Sequence, residues 1–439
     1  MEYKGIIVTG TSGSGKSTVV SKLCQKFDIF QRVQSTTTRI KREDDEPGAY
    51  VCLSKEKFNN LEKEKKFIVT SDYREKKYGI KVEDFEEVMR NGKVPVMVLT
   101  PEATDKLDKN SQMKDKFMII FLDASDETLN KRLKERENPD APQIQREMDR
   151  KYKDEMWERE NCPIYCIKNE ATTSVDDVID LIYYLYEYRN TGGFLPKNLI
   201  KLMIKCGLLL ENAELDYVQG SSYDLRLGTE YFHNGLIKTL DDQEPFITLN
   251  PGDYAIVSSL ETANFPKDIA GKFDLSIGLF CRGVILSNGP QVDPGFKGKL
   301  FCLLFNSSNR KIQLKLKQHY ATIEFLKLFE PTKPYKGKYQ SKENIMEFLP
   351  EKAEASAINV LWKDVEKLKG IKWYERTLPL IIAIVGWIIA MIAIIIALVS
   401  NRNTSSPNSG HTTPHRSAQI LQSRTSDMLR TLDEIDALW

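Results

Sequence analysis

Residues 10–17 read GTSGSGKS and match the pattern G-x-x-x-x-G-K-[ST] at every fixed position. The apolar run Ile6-Ile7-Val8 precedes this stretch and a helix-like segment from Thr18 to Leu23 follows it, so the sequence predicts a strand, a glycine-rich loop and a helix. In such a loop, glycines let successive backbone N–H groups turn toward phosphate oxygens at the positive end of a helix. Lys16 would reach the terminal phosphates, and the Ser17 hydroxyl would hold Mg²⁺. The stretch therefore predicts a site for a nucleoside triphosphate.

The length and composition of the chain limit the other possibilities. The chain has 439 residues, which is enough for about two or three domains that each bury a core. The 63 Lys and Arg residues nearly equal the 62 Asp and Glu residues, so no overall charge favours nucleic acid as a partner. Cys162 and Cys166 are spaced as one pair of metal ligands, but the sequence has no second pair, so we expect no zinc site and no disulfide framework.

Predicted strands and helices alternate along residues 1–190. The strand-like runs are Ile6 to Thr9, Val94 to Leu99, Phe117 to Leu122 and Tyr165 to Lys168. The helical patterns include Asp126 to Arg136 and Val175 to Tyr188. Because this alternation is typical of βαβ units, the sequence predicts an α/β domain with a parallel sheet and a ligand at the carboxyl ends of its strands.

A basic and aromatic cluster follows the glycine-rich loop. Residues 35–42 read STTTRIKR, which places Arg39 and Arg42 three positions apart. Tyr50 and Tyr78 come later, in the stretches PGAY and KYGI. Arginine forks and tyrosine hydroxyls are donors that suit phosphate oxygens, so these four side chains predict a clamp for one phosphate.

Residues 4–188 resemble guanylate kinase, and the resemblance rests on these motifs in their order. It implies that the monophosphate of the acceptor nucleotide binds Ser35, Arg39, Arg42, Tyr50 and Tyr78. It also implies lid arginines at Arg132, Arg136 and Arg146, and an asparagine near the adenine of ATP at Asn169. The implied ATP site comprises Gly10, Thr11, Ser12, Gly13, Ser14, Gly15, Lys16, Ser17, Thr18 and Asn169.

The reaction that this resemblance implies is transfer of the γ-phosphoryl group of ATP to a nucleoside monophosphate. Such transfer depends on alignment and on neutralisation of charge more than on a protein nucleophile. Lys16, Arg132, Arg136 and Arg146 would act as the catalytic residues by supplying positive charge. The expected cofactors are ATP and Mg²⁺, with Ser17 as the metal ligand.

The residues that would recognise the base depart from the guanylate kinase pattern. That family carries Phe-Ile-Glu and reads guanine N–H groups with the carboxylate, whereas this chain has Val69 after Phe67 and Ile68. The acidic residue at the end of the next strand is also missing, since residues 98–100 read VLT. Unpaired donors cost about 1–3 kcal/mol each, so GMP is not the expected acceptor. Thr70 and Asp72 are close enough in sequence to be substitutes.

A second domain is predicted at residues 195–345. Asn190-Thr-Gly-Gly193 reads as a linker, and we expect a new helix to begin at Phe194 and to end near Gly207. Short strand-like runs follow at Tyr223 to Leu227, Tyr254 to Ser258, Gly283 to Ser287, Lys299 to Phe305, Ile312 to Leu316 and Ala321 to Leu326. Strands at this spacing, separated by Gly, Pro and Asn, predict an all-β barrel or sandwich.

Several motifs occur in this second domain, namely SSYDLRLG at 221–228, LNPGD at 249–253, VDPGFKG at 292–298, Asn306-Ser307 and PYKGKYQ at 334–340. Through these motifs, residues 195–345 resemble the dCTP deaminase and dUTPase superfamily. The resemblance implies a zinc-free jelly roll that works as a homotrimer, with Asp293 against the deoxyribose or, as in dUTPases, activating water. The candidate nucleotide site in this domain is Asp293, Arg282 and Tyr339.

Deaminase activity is not expected from this second domain. The family places its catalytic glutamate three residues before the position of Asn306, and this chain has Leu303 there. Loss of a general acid or base costs about 10²–10⁴ in rate. The segment that matches the triphosphate motif, residues 276–281, has no arginine, although Arg282 is one position away. Asp224 and Asp293 remain open as either ligand residues or hydrogen-bonded turn carboxylates.

The C-terminal part predicts a membrane helix. Residues 346–377 are a stalk or juxtamembrane helix in which Ile358, Leu361, Val365 and Leu368 allow either a short coiled coil or an amphipathic packing helix. Leu378 to Val399 carries no charge and is long enough to span a bilayer. Basic residues are concentrated before this single-pass span, so the N-terminal domains should face the cytoplasm. Residues 400–439 form a polar tail.

Two classes of function follow from the sequence. The first is a membrane-anchored, guanylate-kinase-like nucleoside monophosphate kinase with a degenerate deaminase-like domain that binds a nucleotide or builds the trimer. The second is a membrane-bound nucleotide sensor or effector, for example in defence, that binds nucleotides without turnover. Processing of dUTP or dCTP by the second domain is a further alternative.

Overall fold

The structure is a computed structural model that describes residues 3–41, 45–73, 75–134, 143–287, 290–349 and 357–402. The chain divides into two compact units, residues 1–360 and residues 361–439. The first unit contains both predicted domains, and the second contains the predicted membrane helix.

The N-terminal half of the first unit alternates strands and helices. Its elements are β1 (Gly5–Gly10), α1 (Lys16–Lys26), β2 (Phe30–Arg32), β3 (Ser35–Thr37), β4 (Tyr50–Cys52), α2 (Lys55–Lys63), β5 (Phe67–Tyr73), β6 (Lys76–Lys81), α3 (Val82–Arg90), β7 (Val94–Val98), α4 (Pro101–Lys109), β8 (Phe117–Asp123), α5 (Asp126–Lys134), α6 (Gln143–Trp157), β9 (Ile164–Lys168) and α7 (Val175–Glu187). The predicted strands and helices are confirmed at nearly the same boundaries.

A parallel sheet with the order β2-β7-β1-β8-β9 forms the centre of this half. Every residue of β1 is buried, and β8 is buried from Phe117 to Leu122, because helices cover both faces of a parallel sheet. The glycine-rich loop follows the carboxyl end of β1, between β7 and β8. The α/β fold agrees with the sequence prediction, and the glycine-rich loop lies at the strand ends, where the ligand was predicted to bind.

A smaller sheet with the order β4-β3-β6-β5 carries the residues of the predicted phosphate clamp. Ser35 lies in β3, Tyr50 in β4 and Tyr78 in β6. In β5, Val69 and Ser71 are buried while Asp72 is exposed, as the two-residue period of a strand requires. This sheet therefore brings together side chains that are up to 43 positions apart in the sequence, Ser35 and Tyr78.

The second half of the unit is mainly β structure. Its elements are β10 (Gly193–Phe194), α8 (Lys197–Lys205), β11 (Leu209–Glu211), a 3-10 turn (Leu215–Tyr217), β12 (Ser222–His233), β13 (Leu236–Thr239), β14 (Phe246–Leu249), β15 (Tyr254–Asn264), β16 (Ile269–Leu275), α9 (Ile277–Phe280), β17 (Val284–Ser287), β18 (Gln291–Val292), β19 (Lys297–Asn306), β20 (Ile312–Lys315), β21 (His319–Lys327) and α10 (Ile345–Phe348). Antiparallel pairing in the order β17-β19-β15-β12-β21-β16-β18 confirms the all-β prediction.

The prediction that a helix begins at Phe194 is wrong. Phe194 lies in β10 and pairs with Leu326 of β21, and the Leu195 backbone N–H donates to the carbonyl of Phe325. The helix begins at Lys197, with Pro196 as its extended N-cap residue. A residue before proline is disfavoured in the helical region, which explains why Leu195 stays extended.

The two halves share one hydrophobic core. The same cluster of buried side chains includes Tyr3 and Leu185 from the first half and Leu199 and Phe325 from the second. A buried polar contact also crosses the boundary, because the Tyr165 hydroxyl of β9 donates to the carboxylate of Asp268. Lys327 of β21 donates to the same carboxylate at 2.7 Å. The first unit is therefore held by both apolar packing and a buried ion pair.

In the second unit, α11 (Ala357–Arg402) contains the candidate membrane span. Its segment Thr377–Leu398 has a mean hydropathy of 3.1 and is long and apolar enough to cross a membrane. The predicted boundaries, Leu378 to Val399, differ by one residue at each end. The heptad side chains Ile358, Leu361 and Leu368 and the tail from residue 403 lie outside the described part of the chain.

Candidate active site

The glycine-rich loop joins the buried strand β1 to helix α1. Gly10 and Gly15 have φ angles of 137° and 88°, in the left-handed region that favours glycine. A Cβ atom at Gly10 would lie 2.0 Å from the carbonyl oxygen of Leu122, so no side chain fits between β1 and β8 there. The Lys16 ammonium donates to the carbonyl oxygens of Gly10 and Thr11 at 2.9 and 2.8 Å. The Lys16 side chain is therefore held against the backbone of the glycine-rich loop.

Contacts from neighbouring strands hold this loop in place. The Asn169 side-chain amide donates to the Ser14 carbonyl at 2.8 Å, and the Asn169 backbone N–H donates to the carbonyl of Asp123 at the same distance. The Thr11 hydroxyl donates to the Asp123 carboxylate at 3.0 Å. Asn169 is only 3% exposed, so the structure places it behind the loop as a brace. Its contact with adenine stays a prediction.

A cavity of about 570 Å³ connects the loop with the small sheet. It brings together most of the described loop residues and most of the predicted clamp: Gly10, Ser12, Gly13, Gly15, Lys16, Ser17, Ser35, Arg39, Tyr50 and Tyr78. Thr11 and Ser14 are buried beneath it, and Thr18, Arg132, Arg146 and Asn169 are not among its lining residues. Arg42 and Arg136 lie outside the described residues.

Arg39 forms the centre of the clamp and already holds an anion. Its guanidinium donates to both carboxylate oxygens of Asp45, at 2.7 and 2.5 Å, and lies 4.3 Å from the centre of the Tyr50 ring. Burial alone would lower the pKa of Arg39, but the hydrogen bonds and charge of Asp45 raise it. The geometry is the bidentate fork that arginine also offers to phosphate. Asp45 therefore occupies the position that the sequence assigns to a phosphate group.

Sequence reasoning missed Asp45, although a signal was present. Residues 43–46 read EDDE directly after the basic run that contains Arg39. An acidic run next to a predicted phosphate clamp indicates internal neutralisation of the clamp. Which of the four carboxylates pairs with Arg39 depends on the loop between β3 and β4, and the sequence pattern does not specify the path of that loop.

Two of the predicted lid arginines, Arg132 and Arg146, have buried N–H groups without a hydrogen-bond partner among the described residues. Arg146 of α6 is 6% exposed and donates from Nη2 to the Asn130 side chain at 2.5 Å, while its Nε has no hydrogen-bond partner among the described residues. Nη1 of Arg132 in α5 is also buried without such a partner in the described part of the chain. Buried donors of this kind are costly unless a ligand or water pairs with them. Both arginines are thus suited to receive anionic oxygens.

Arg150 is a further residue that sequence reasoning missed. Its Nε donates to the Asp123 carboxylate at 3.0 Å, and its Nη2 donates to the carboxylate of Asp126 at 3.0 Å. The hydrogen bond from Arg150 lowers the pKa of Asp126 below its usual range. Because Asp123 also accepts from Thr11, this pair connects α6 with the glycine-rich loop. Its spacing of four residues from Arg146, on one face of a helix, was the available signal.

Thr70 and Asp72 do not replace the missing base-reading carboxylates in this structure. They lie on the face of β5 opposite to Val69 and Ser71, which line the cavity. The Thr70 hydroxyl donates to Glu62 at 2.8 Å, and Asp72 is exposed. The strand period of two explains the outcome, because neighbours of Val69 in sequence must point away from it.

The candidate residues of the second domain are not brought into one cavity within the described chain. Arg282 lines a cavity of about 640 Å³ with His319 and Thr322, and neither Asp293 nor Tyr339 is among its lining residues. Asp293 accepts from the Gln291 side chain at 3.0 Å. The Tyr339 ring centre lies 4.9 Å from that of Phe348.

Asp224 and Leu303 are the two positions of the second domain that matter for a deaminase or dUTPase reaction. Asp224 lies in β12 and accepts hydrogen bonds from Thr322 at 3.0 Å and from Gln219 at 2.8 Å, so it is a hydrogen-bonded strand carboxylate. Leu303 lies in β19, opposite Ile256 of β15 and Ser287 of β17. A half-buried leucine therefore occupies the position at which the resemblance implies a catalytic glutamate.

Comparison with known proteins identifies two families. A model of the guanylate kinase family matches residues 2–180, and a model described as dCTP deaminase-like matches residues 194–328. A dCTP deaminase from Thermococcus kodakarensis is 36% identical over 143 residues, which are 32% of this chain and 91% of that protein. A dUMP-forming dCTP deaminase from Aquifex aeolicus is 26% identical over 162 residues, 34% of this chain and 90% of that protein. A guanylate kinase from Malacoplasma penetrans is 23% identical over 182 residues, 41% of this chain and 92% of that protein.

The two matches follow one another along the chain without overlap, as the two halves of the first unit do. The chain therefore belongs to the dCTP deaminase-like family through residues 194–328, which are fused to a guanylate kinase domain at residues 2–180.

Proposed function

We propose that the chain is an ATP-dependent nucleoside monophosphate kinase, anchored in a membrane by α11. The observation that carries this proposal is the single cavity in which Lys16 and Ser17 face Arg39, Tyr50 and Tyr78. Phosphoryl transfer requires a donor phosphate and an acceptor phosphate held in line within one water-excluding site. A cavity with a phosphate loop at one end and an arginine and tyrosine clamp at the other meets this requirement.

On the donor side, the loop N–H groups and Lys16 would bind the phosphates of ATP. Lys16 exchanges the carbonyls of Gly10 and Thr11 for phosphate oxygens, so its charge is in position before the reaction begins. Oxygen donors that suit Mg²⁺ line the same cavity, namely the Ser17 hydroxyl and the Asp149 carboxylate. Bound Mg²⁺ would neutralise charge on the β- and γ-phosphates. Arg132, Arg146 and the predicted Arg136 would stabilise the transferring group as α5 and α6 approach it.

On the acceptor side, the monophosphate would displace Asp45 from Arg39. The exchange replaces one bidentate oxyanion with another, so it needs no rearrangement of the guanidinium. It also releases the loop that carries Asp45, which links arrival of the acceptor to movement of residues near the cavity. Tyr50 and Tyr78 would add hydroxyl donors to the same phosphate.

We predict that Arg39→Ala raises the KM for the acceptor monophosphate at least about tenfold while the KM for ATP changes little. A hydrogen bond to a charged group is worth about 1.5–3 kcal/mol, which corresponds to a factor of about ten or more. Arg42→Ala should act in the same direction. Steady-state kinetics with each substrate varied in turn measures both constants. Equal changes in the two KM values would reject the clamp.

The second domain would act in assembly or in nucleotide binding. Three large apolar side chains are exposed on α9 and β17, with Ile277 79%, Phe280 68% and Ile285 51% exposed. A cluster of exposed apolar side chains of this kind is typical of an interface with another chain. The trimer implied by the family resemblance gives this surface a partner, namely a second copy of the chain.

We predict that the chain truncated at Glu375, without the span and tail, is a trimer. The Phe280→Asp variant of the same truncated chain should be a monomer, because the trimer would bury a charge without a partner. Multi-angle light scattering gives the mass of each species, and circular dichroism checks that the variant is folded. A monomeric parent chain would sink this prediction.

A nucleotide sensor is the second candidate function, and the helix α11 favours it. A soluble metabolite requires no membrane anchor for its phosphorylation, whereas an effector that acts on a membrane does. A sensor would bind nucleotide in the same cavity without release of ADP. Measurement of ADP release with a panel of monophosphates separates the two functions. Incubation with dCTP or dUTP tests whether the second domain processes either nucleotide. We expect no deamination, because Leu303 replaces the catalytic glutamate of the family.

A further inference from the structure

One wall of the cavity is apolar. Val69, Ile80 and Leu99 line it and are 8%, 1% and 7% exposed. These residues come from β5, from β6 and from the turn after β7, so the wall is built from both sheets. A nucleotide whose phosphate lies against Arg39 has its base as the remaining large group. The wall is therefore the surface that this base would contact.

One hydroxyl pair interrupts the apolar wall. The backbone N–H of Ala103 donates to the Thr100 hydroxyl oxygen at 3.2 Å, and that hydroxyl lies 3.1 Å from the oxygen of Ser71. A hydroxyl has one proton and two acceptor lone pairs, so when Thr100 donates its proton to Ser71, the Ser71 proton is left for a group in the cavity. Ser71 is 4% exposed and lines the cavity. The relay thus presents a hydrogen-bond donor to the base.

We infer that the base is a thymine-type pyrimidine, one that has a carbonyl oxygen for Ser71 and a methyl group for the Val69 wall. This inference rests on the proposed kinase function of the same cavity. Guanine presents adjacent N–H donors that pair best with a carboxylate, and Val69, Ile80, Leu99 and Ser71, which form this wall, include no carboxylate. A methyl group in an apolar pocket improves discrimination by about 10–200-fold.

One carboxylate among the described residues does line the cavity and is the alternative reader of the base. Asp149 belongs to α6, one helical turn from Arg146, and accepts from the Gln145 side chain at 3.1 Å. Asp149 lies on α6 with the predicted lid arginine Arg146, whereas Val69 lies on β5. This position favours a role for Asp149 at the phosphates and not at the base. The test below therefore includes Asp149.

The full-length protein is assayed with ATP and each of dTMP, dUMP, dCMP, GMP and AMP. We expect the highest kcat/KM with dTMP, a value about tenfold or more lower with dUMP because its C5 methyl is missing, and lower values still with the other three. Preference for GMP, AMP or dCMP would overturn the inference. If none is phosphorylated, the kinase proposal fails, and calorimetric binding of the same monophosphates decides on the base: tighter dTMP than GMP keeps the inference, and the reverse overturns it.

Two variants on β5 locate the effect. Ser71→Ala should raise the KM for dTMP about tenfold without change in the KM for ATP, because one hydrogen bond to the base is lost. Asp72→Ala, on the exposed face of the same strand, is the matched control and should leave both constants unchanged. An unchanged KM for dTMP in Ser71→Ala would reject the relay.

Two further variants test whether a carboxylate recognises the base. Val69→Glu should shift the preference toward GMP by at least tenfold, since it returns an acceptor to the wall. Asp149→Asn should lower kcat for every monophosphate by a similar factor. Loss of GMP use alone in Asp149→Asn would show that Asp149 reads the base and would overturn the inference.

Discussion

Replacement of Lys16 by alanine is expected to lower kcat for ADP release by about 10²–10³-fold or more. The expectation follows from the position of the ammonium, which is held against the loop backbone by the carbonyls of Gly10 and Thr11 before any phosphate arrives. Removal of one preorganised charge or donor at the point where charge develops has this magnitude in other enzymes. The folded state should lose little, because the Lys16 side chain is only half-buried and its two hydrogen bonds to carbonyls contribute about 1 kcal/mol each.

Lys22→Ala is the matched control for this experiment. Lys22 lies on the same helix, α1, and is exposed. Both variants should unfold in urea near the midpoint of the parent protein, so that a difference in rate reports on chemistry and not on folding. A Lys16→Ala protein with the kcat of the Lys22→Ala protein would remove the loop from the mechanism. If the unsubstituted chain binds ATP but releases no ADP, the result would instead favour the sensor function.

The parts of the site that depend on local spacing were predictable from the sequence. The loop is one continuous stretch in which each glycine has a local reason, and its flanking strand and helix can be recognised from periodicity. Arg39, Arg42, Tyr50 and Tyr78 were predicted together as one clamp because their donors suit phosphate. The structure places Arg39, Tyr50 and Tyr78 against one cavity, and Arg42 lies outside the described residues.

The parts that depend on tertiary contacts were not predictable. Alternation along β5 shows that Val69 and Ser71 share a face, but only the pairing with β6 and the approach of α4 decide which face meets the cavity. The partnership of Ser71 with Thr100 joins residues 29 positions apart. In the same way, the pairing of Arg39 with Asp45 depends on a loop conformation, and the bracing of the loop by Asn169 depends on the parallel pairing of β8 and β9. Patterns in one segment carry no information on such contacts.

In the second domain, the six predicted strands are present, but their boundaries differ and other strands of the described chain, such as β14 and β16, were not predicted. The strand predicted from Tyr223 to Leu227 extends to His233, and the register of its pairing with β15 shifts between Leu227 and Tyr231. Gly228 lies at this register shift. A single glycine was interpreted as the end of the strand, although here it marks an irregularity within the strand. The strand β16 was missed because its sequence, IAGKFDL, contains a buried glycine and two exposed charges, which weaken the strand pattern. The buried face of that strand is recognisable only once β21 is known to pair with it.

The second large expected effect is on the free energy of unfolding, and it follows from a buried contact between the two fused domains. Asp268 is 2% exposed and lies between the Tyr165 hydroxyl of the kinase domain and the Lys327 ammonium of the deaminase-like domain, 2.7 Å from the latter. Burial raises the pKa of Tyr165, so its hydroxyl stays protonated and donates to the carboxylate. The two domains therefore share one buried charge network, and each would expose part of it without the other.

Asp268→Ala is expected to lower the free energy of unfolding by about 3–5 kcal/mol, because it leaves Lys327 as a buried charge without its partner. Urea denaturation of the truncated chain followed by circular dichroism measures the change. Glu324→Ala, an exposed carboxylate on the strand of Lys327, is the control and should shift stability by less than about 0.5 kcal/mol. The double variant Asp268→Ala with Lys327→Met should recover much of the loss, since both charges leave the interior together. If Asp268→Ala unfolds at the same urea concentration as Glu324→Ala, the buried pair does not hold the domains together, and the shared apolar core alone accounts for their association.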